Sequence, residues 1–159
     1  MTSASPATPH QVFARMQCAW LAQKGFEADQ LADDVVIEGP FAPPGHPRRV
    51  EGRDRVLAHY GPQWAVFPAR FDEVRNVVIH DTANPEVIVV EYELAGTVLA
   101  TGRQASAPFI GILRARDGKI VLWREYQNVL AIAHALGQLP ALLEDAARQP
   151  DTGCESLNG

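Results

Sequence analysis

Asp117-Gly118 constrains this chain more than any other pair of residues. It stands between two long runs of strand character, Arg103–Arg116 and Lys119–Gln127. A two-residue type I′ turn needs positive φ at both central positions, and Asp followed by Gly meets that demand. The pair therefore predicts a tight antiparallel hairpin. Upstream, Val74–His80 and Val87–Leu99 read as further strands, separated by turn residues at Thr82–Pro85. In the second of these, Val87, Val89, Glu91 and Glu93 share one face, and Ile88, Val90, Tyr92 and Leu94 share the other.

Helical signals fall before and after this block. Thr8-Pro9-His10-Gln11 predicts a helix start, with Thr8 as N-cap, Pro9 at the first helical position and Gln11 closing a capping box. Val12, Phe13, Met16, Ala19 and Trp20 follow at helical spacing, and Gly25 ends the run. A short helical piece is expected over Glu27–Ala32 and a strand over Asp33–Glu38. Three prolines and Gly45 make Phe41–Arg49 a rim loop. A helix opens at Gly52-Arg53-Asp54, with Val56, Leu57 and Tyr60 on one face, and is expected to end at Gly61-Pro62. Val129, Ile132, Ala133 and Leu136 predict a closing helix before Gly137, and Pro140–Ala147 one more.

Helices segregated from a run of antiparallel strands define an α+β domain. A long curved antiparallel sheet wrapped around the amphipathic N-terminal helix leaves a cone-shaped cavity, the natural ligand site. The expected organisation is a flexible leader over 1–7, one domain over 8–147 and a disordered tail over 148–159. Cys18 and Cys154 lie far apart with no metal-ligand or redox spacing, so both are expected to be reduced. A net charge of −5 without a basic run argues against nucleic acid and anionic membranes and toward a neutral or apolar small-molecule ligand. With no secretory signal at the N-terminus and no apolar run of about 20 residues, a cytoplasmic location is expected.

Glu125 leads the candidate catalytic residues. Val121, Trp123, Glu125 and Gln127 share a strand face, and a carboxyl aimed inward beside an indole would have its pKa raised into acid–base range. The alternative is a solvent-facing glutamate or one paired with Arg124. His59, beside Tyr60 on the apolar face of its helix, could hold a ligand or share a proton with Glu125; equally, it could interact with the helix C-terminus. Glu91 and Glu93 could split their pKa values in a cavity, or form a solvated strand face, the commoner arrangement. Trp123 and Trp64 are expected wall residues among aromatics that are otherwise core, and Tyr60, Glu91 and Asn128 are further substrate-binding candidates. Asn128 is also placed to cap the last helix. His80 and His46 complete no metal-binding trio, so neither metal nor cofactor is expected.

Leu31-Ala-Asp-Asp-Val-Val-Ile-Glu-Gly-Pro40, Gly52-Arg-Asp54 with His59, and Asp117-Gly118 through Trp123-Arg-Glu-Tyr-Gln-Asn128 resemble the SnoaL-like branch of the nuclear transport factor 2-like superfamily. Within that branch the resemblance is nearest to the PhzA/PhzB proteins of phenazine biosynthesis, over about Leu31 to Gly137. It implies a cone-shaped, cystatin-like α+β barrel, usually a homodimer, with a small ligand in the cone. It also implies that Glu125 matches the acid–base glutamate of PhzA/PhzB. His59 matches their pocket histidine, placed by Gly-Arg-Asp and by Phe67-Pro68. The resemblance leaves three functions open: a proton-moving isomerase, cyclase or condensation-promoting enzyme of secondary metabolism, an epoxide hydrolase, and a non-catalytic binding or assembly module. An epoxide hydrolase of this superfamily needs an Asp–Arg–Asp set; no Arg-x-Asp lies around Glu91, and Arg103 would have to be recruited from elsewhere.

Overall fold

The structure, a computed structural model, describes residues 5–148. Six strands form one curved sheet: β1 (Leu31–Glu38), β2 (Arg49–Glu51), β3 (Ala69–Asp81), β4 (Val87–Val98), β5 (Gln104–Arg116) and β6 (Lys119–Gln127), in the order β2-β1-β6-β5-β4-β3. Four helices accompany it: α1 (Pro9–Leu21), α2 (Arg53–Ala65), α3 (Val129–Ala135) and α4 (Leu139–Arg148). The expected α+β cone is present, with one amendment: β1 runs parallel to β6, so the sheet is mixed rather than wholly antiparallel. The chain enters β1 straight from α1 and a single helical turn at Ala28–Gln30, which sets its direction against the meander that follows. Among the described residues no helix is long and apolar enough to cross a membrane.

Local chemistry explains most boundaries. The Asp117-Gly118 turn has φ of 54° and 74°, the two positive values the hairpin requires. At the start of α1, the Thr8 hydroxyl accepts from the Gln11 amide while the Gln11 side chain accepts from the Thr8 amide, closing the capping box. Pro62 does not end α2, which continues to Ala65. Proline removes one amide donor and crowds the residue before it, but that residue is Gly61, which has no Cβ to clash, and the break falls in the last turn. β3 begins five residues before Val74, because Ala69 and Phe71 pair with Val98 and Gly96 of β4. β2 is a three-residue edge strand at the end of the expected rim loop.

Of the expected leader, residues 5–7 have no regular structure, and Ala7 packs half-buried against the core; residues 1–4 lie outside the described residues. Of the expected tail, Arg148 closes α4, and 149–159, including Cys154, lie outside the described residues. Cys18 is a free, exposed thiol.

The core lies between α1 and the concave face of the sheet. Phe13, Met16 and Trp20 of α1 pack against Ile88, Val90, Tyr92, Phe109, Leu113, Ile120 and Trp123. The rings form one cluster: Tyr92 stacks on Trp20 and on Phe109, each at 5.3 Å between centroids, and Phe13 lies 5.7 Å from Tyr92. β6 carries one extra residue opposite β5. Arg114 pairs with Leu122 and Ala115 with Ile120, leaving Val121 bulged between them. The sequence reading that put Val121 on the face of Trp123 is thereby corrected: the bulge brings Ile120 into the core with Trp123. Beyond the bulge the alternation resumes, and Trp123, Glu125 and Gln127 face inward together.

Candidate active site

The wide end of the cone is a cavity of about 360 Å³, the size range of small-molecule sites. Its walls are mostly apolar: Trp20 from α1, Phe71 and Leu94 from β3 and β4, Phe109 and Trp123 from β5 and β6, and Tyr60 and Trp64 from α2. Phe41, Pro43 and Pro47 of the rim loop and Ile132 and Leu136 around α3 close its edge. The Trp123 wall depends on a close approach. A Cβ at Gly111, the β5 partner of Glu125, would lie 2.1 Å from the Trp123 ring, so only glycine lets that indole lie flat on the sheet.

Glu125 occupies the wall of this cavity. The Tyr92 hydroxyl donates to its Oε1 and the Gln127 side-chain amide, at the mouth, donates to its Oε2. Glu125 is half-buried and lines the cavity. Burial raises its pKa above the ordinary glutamate value, and the hydrogen bonds from Tyr92 and Gln127 offset only part of that rise. Tyr92 is itself buried, and its phenol is pushed well above its ordinary pKa by burial first and then by the neighbouring Glu125 charge. Tyr60 is raised in the same way, by burial and by Glu125. Both phenols thus remain neutral donors beside a carboxyl that can lose and regain a proton.

His59 reaches the same cavity from α2. Its ring lies edge-on to Tyr60 at 4.7 Å, and its Nε2 is 3.1 Å from the Gln63 amide nitrogen. The same amide donates to the His59 backbone carbonyl at 3.0 Å, so Gln63, one turn further along α2, steadies the histidine. No hydrogen bond joins His59 to Glu125 among the described residues; the two share a cavity and not a proton. Trp123 and Trp64 line the walls as expected.

Two substrate-binding candidates lie elsewhere. Glu91 is on the convex face, its carboxylate 2.7 Å from His80 Nε2, and it does not line the cavity. The strand alternation that turns Tyr92 inward turns Glu91 outward. Its neighbour Glu93 is bound by Arg75 and Asn76 on that same outer face, and hydrogen bonds led by Arg75 hold its pKa at about 2. Asn128 caps α3, its Oδ1 accepting from the Ala131 amide at 3.0 Å, and is absent from the lining. Tyr92 and Gln127 are the functional partners that residue-by-residue reading left unassigned. Gln127 shares Glu125's face, and Tyr92 alternates with Glu91, but the contact between strands depends on a register that only folding fixes.

Glu38 also borders the cavity, but burial, which would raise its pKa, is outweighed by hydrogen bonds from Arg124 and Arg49, and it is held below the usual range. Arg103, the arginine that epoxide opening would have to recruit, donates instead to the Ala135 carbonyl at 2.6 Å. Among the described residues no three His, Cys, Asp or Glu side chains converge as metal ligands.

Among the described residues, a six-stranded sheet curved around one helix to enclose an apolar cone is the nuclear transport factor 2-like α+β barrel fold. The chain belongs to the SnoaL-like domain family, which residues 26–123 match. A PhzA/B-like protein of Pseudomonas aeruginosa is 36% identical over 117 residues, covering 71% of this chain and 78% of that protein. Two crystal structures share the fold. A phenazine biosynthesis-related protein of Pseudomonas aeruginosa has a TM-score of 0.62 at 21% identity, covering 81% of this chain and 84% of that one. The Δ5-3-ketosteroid isomerase of a Mycobacterium species has a TM-score of 0.61 at 22% identity, covering 79% and 97%.

Proposed function

We propose that this protein is a cofactor-free acid–base enzyme of secondary metabolism that moves a proton within a small cyclic, largely apolar intermediate, in an isomerisation, cyclisation or imine-forming condensation. One observation carries the reading: Glu125 stands in an apolar cavity with its pKa raised by burial and both oxygens oriented by neutral donors. A carboxyl so placed is a competent base when ionised and a competent acid when protonated. Tyr92 and Gln127 hold it in position, and Tyr60 and His59 are placed to receive the ligand's polar group. Much of the acceleration would come from fixing the ligand against Glu125 in a cavity with few competing waters. Membership of the SnoaL-like family and a fold shared with a ketosteroid isomerase support the class of chemistry. The expected homodimer is part of the proposal; Val78 and Ile110 are exposed on the convex face, one on each side of Glu91 in the same row.

The test is a panel of small cyclic ketones and imines with an acidic ring C–H, incubated in deuterated buffer and analysed by mass spectrometry. Enzyme-dependent deuterium uptake or double-bond migration is expected for at least one of them. Binding without exchange across the panel, unaffected by Glu125→Ala, would replace the enzyme with a ligand holder. A diol carrying labelled solvent oxygen from a cyclic epoxide would instead identify a hydrolase.

A further inference from the structure

On the convex face of the sheet one ion pair differs from the others in its cation. Glu93 is held by Arg75, Glu86 by Arg114, and Glu38 by Arg124 and Arg49. Among the described residues Glu91 meets only a histidine, with His80 Nε2 at 2.7 Å from its Oε2. The surroundings of this pair are apolar. Glu91 lies between Val78 and Ile110 in one cross-strand row, and His80 shares the next row with Val89 and Ile112. Val78 is 47% and Ile110 45% exposed, so the patch stands open to solvent in the single chain. Glu91 is exposed as well, and water offsets its charge. Covering the patch removes that water, and a carboxylate covered beside a neutral imidazole has no counter-charge. Each arginine-held pair cancels its own charge, so the patch offers a strongly acidic or basic partner no complementary field. A second copy of the same chain, which sets apolar rows on apolar rows about a two-fold axis, fits it.

We infer that this convex patch is a self-association surface gated by His80: a second copy docks on it when the imidazole is protonated and leaves when it is neutral. The inference rests on the homodimer proposed above and names where it forms and what controls it. Histidine changes charge between about pH 8 and pH 5. Protonated His80 supplies the counter-charge that lets Glu91 be covered. Association therefore takes up protons and strengthens as pH falls through the histidine range. The other charged groups around the pair are Arg75 with Glu93 and Glu73, Arg114 with Glu86, and Arg124 with Glu38. Guanidinium and carboxylate groups hold their charge over that range. Tyr126 brings a phenol to the row of Ile110. His10 bonds Asp81, which shares its row with the buried Ile88 and so faces the concave side. His46 and His59 line the cavity, and His134 is on α3.

The experiment is sedimentation equilibrium of the full chain at constant ionic strength, between about pH 8 and about pH 6. The wild-type dimer is expected to tighten about tenfold across that range, the size of one charge pair covered at an interface. His80→Arg, which carries a permanent cation, should hold the tight dimer at both ends, and His80→Gln the weak one. Glu91→Gln should reverse the trend, because protonating His80 then places an unpaired cation in the contact. Ile110→Asp, and Val78→Asp on the other side of Glu91, should be monomeric throughout, with circular dichroism showing the fold intact. A wild-type dimer indifferent to pH, or one that tightens as pH rises, would overturn the gate and leave the homodimer standing. A dimer that survives both aspartate variants would overturn this face as its contact. A wild type monomeric at every pH, the result expected where the face meets a different protein, would overturn the homodimer and the gate together.

Discussion

Glu125→Gln is expected to lower proton exchange by about a hundred- to ten-thousand-fold, the usual contribution of a positioned acid–base group, on whichever ring compound the wild type turns over. Glutamine keeps the shape and can accept from the Tyr92 hydroxyl; turning the Gln127 amide lets its oxygen accept from the new side chain. The fold therefore survives, and only the titrating proton is lost. Stability should move in a direction that identifies the cause. Burial raises the folded pKa of Glu125 above its unfolded value, so the folded state binds that proton more tightly. Its favourable contribution is complete below the unfolded glutamate pKa and disappears as pH rises through the folded one. Thermal unfolding of wild type and variant across that window should show the wild type losing ground to Glu125→Gln as pH increases. Full turnover by the variant would end the assignment of Glu125 as the acid–base group.

The second large effect is structural. Phe13→Ala is expected to cost about 3–5 kcal/mol, in the range of buried aromatic truncations, and to lower Tm by on the order of 10 °C for a chain of this length. Phe13 is fully buried, and its ring meets Trp20 at 6.0 Å, Tyr92 at 5.7 Å and Trp123 at 6.2 Å. Those three rings are the floor on which Glu125 is held, so the cavity left by truncation lies directly beneath the site. Calorimetry reads the stability, and an unchanged Tm would contradict the packing described here. By contrast, Phe41 on the rim loop is 62% exposed, and its truncation should leave Tm nearly unchanged.

The residues that declared themselves in sequence are those whose role is set within a few positions. The capping box at Thr8 and the turn at Asp117-Gly118 are local devices, and both formed as expected. Inward placement of Trp123 and Glu125 followed from alternation over four residues, which holds because the bulge at Val121 falls before them and not between them. Alternation carried across a bulge fails, as it did for Val121 itself. Pro62 departs from the local rule because its effect depends on the small residue before it and on its place in the last turn. The parallel pairing of β1 with β6 and the Tyr92–Glu125 hydrogen bond join segments 33 or more residues apart. No local pattern encodes such contacts; they follow from sheet order and register. Glu91 illustrates the same limit. Facing direction is fixed by its neighbours' burial, and Tyr92 between the two glutamates takes the inner side.

The most direct measurement is an NMR titration of the Glu125 carboxyl carbon in protein labelled at glutamate, assigned by its absence in Glu125→Gln. A midpoint above the ordinary glutamate value is what burial among these aromatic rings demands. A midpoint at or below that value would mean that water reaches the carboxylate freely, and the chemistry built on it would have no basis.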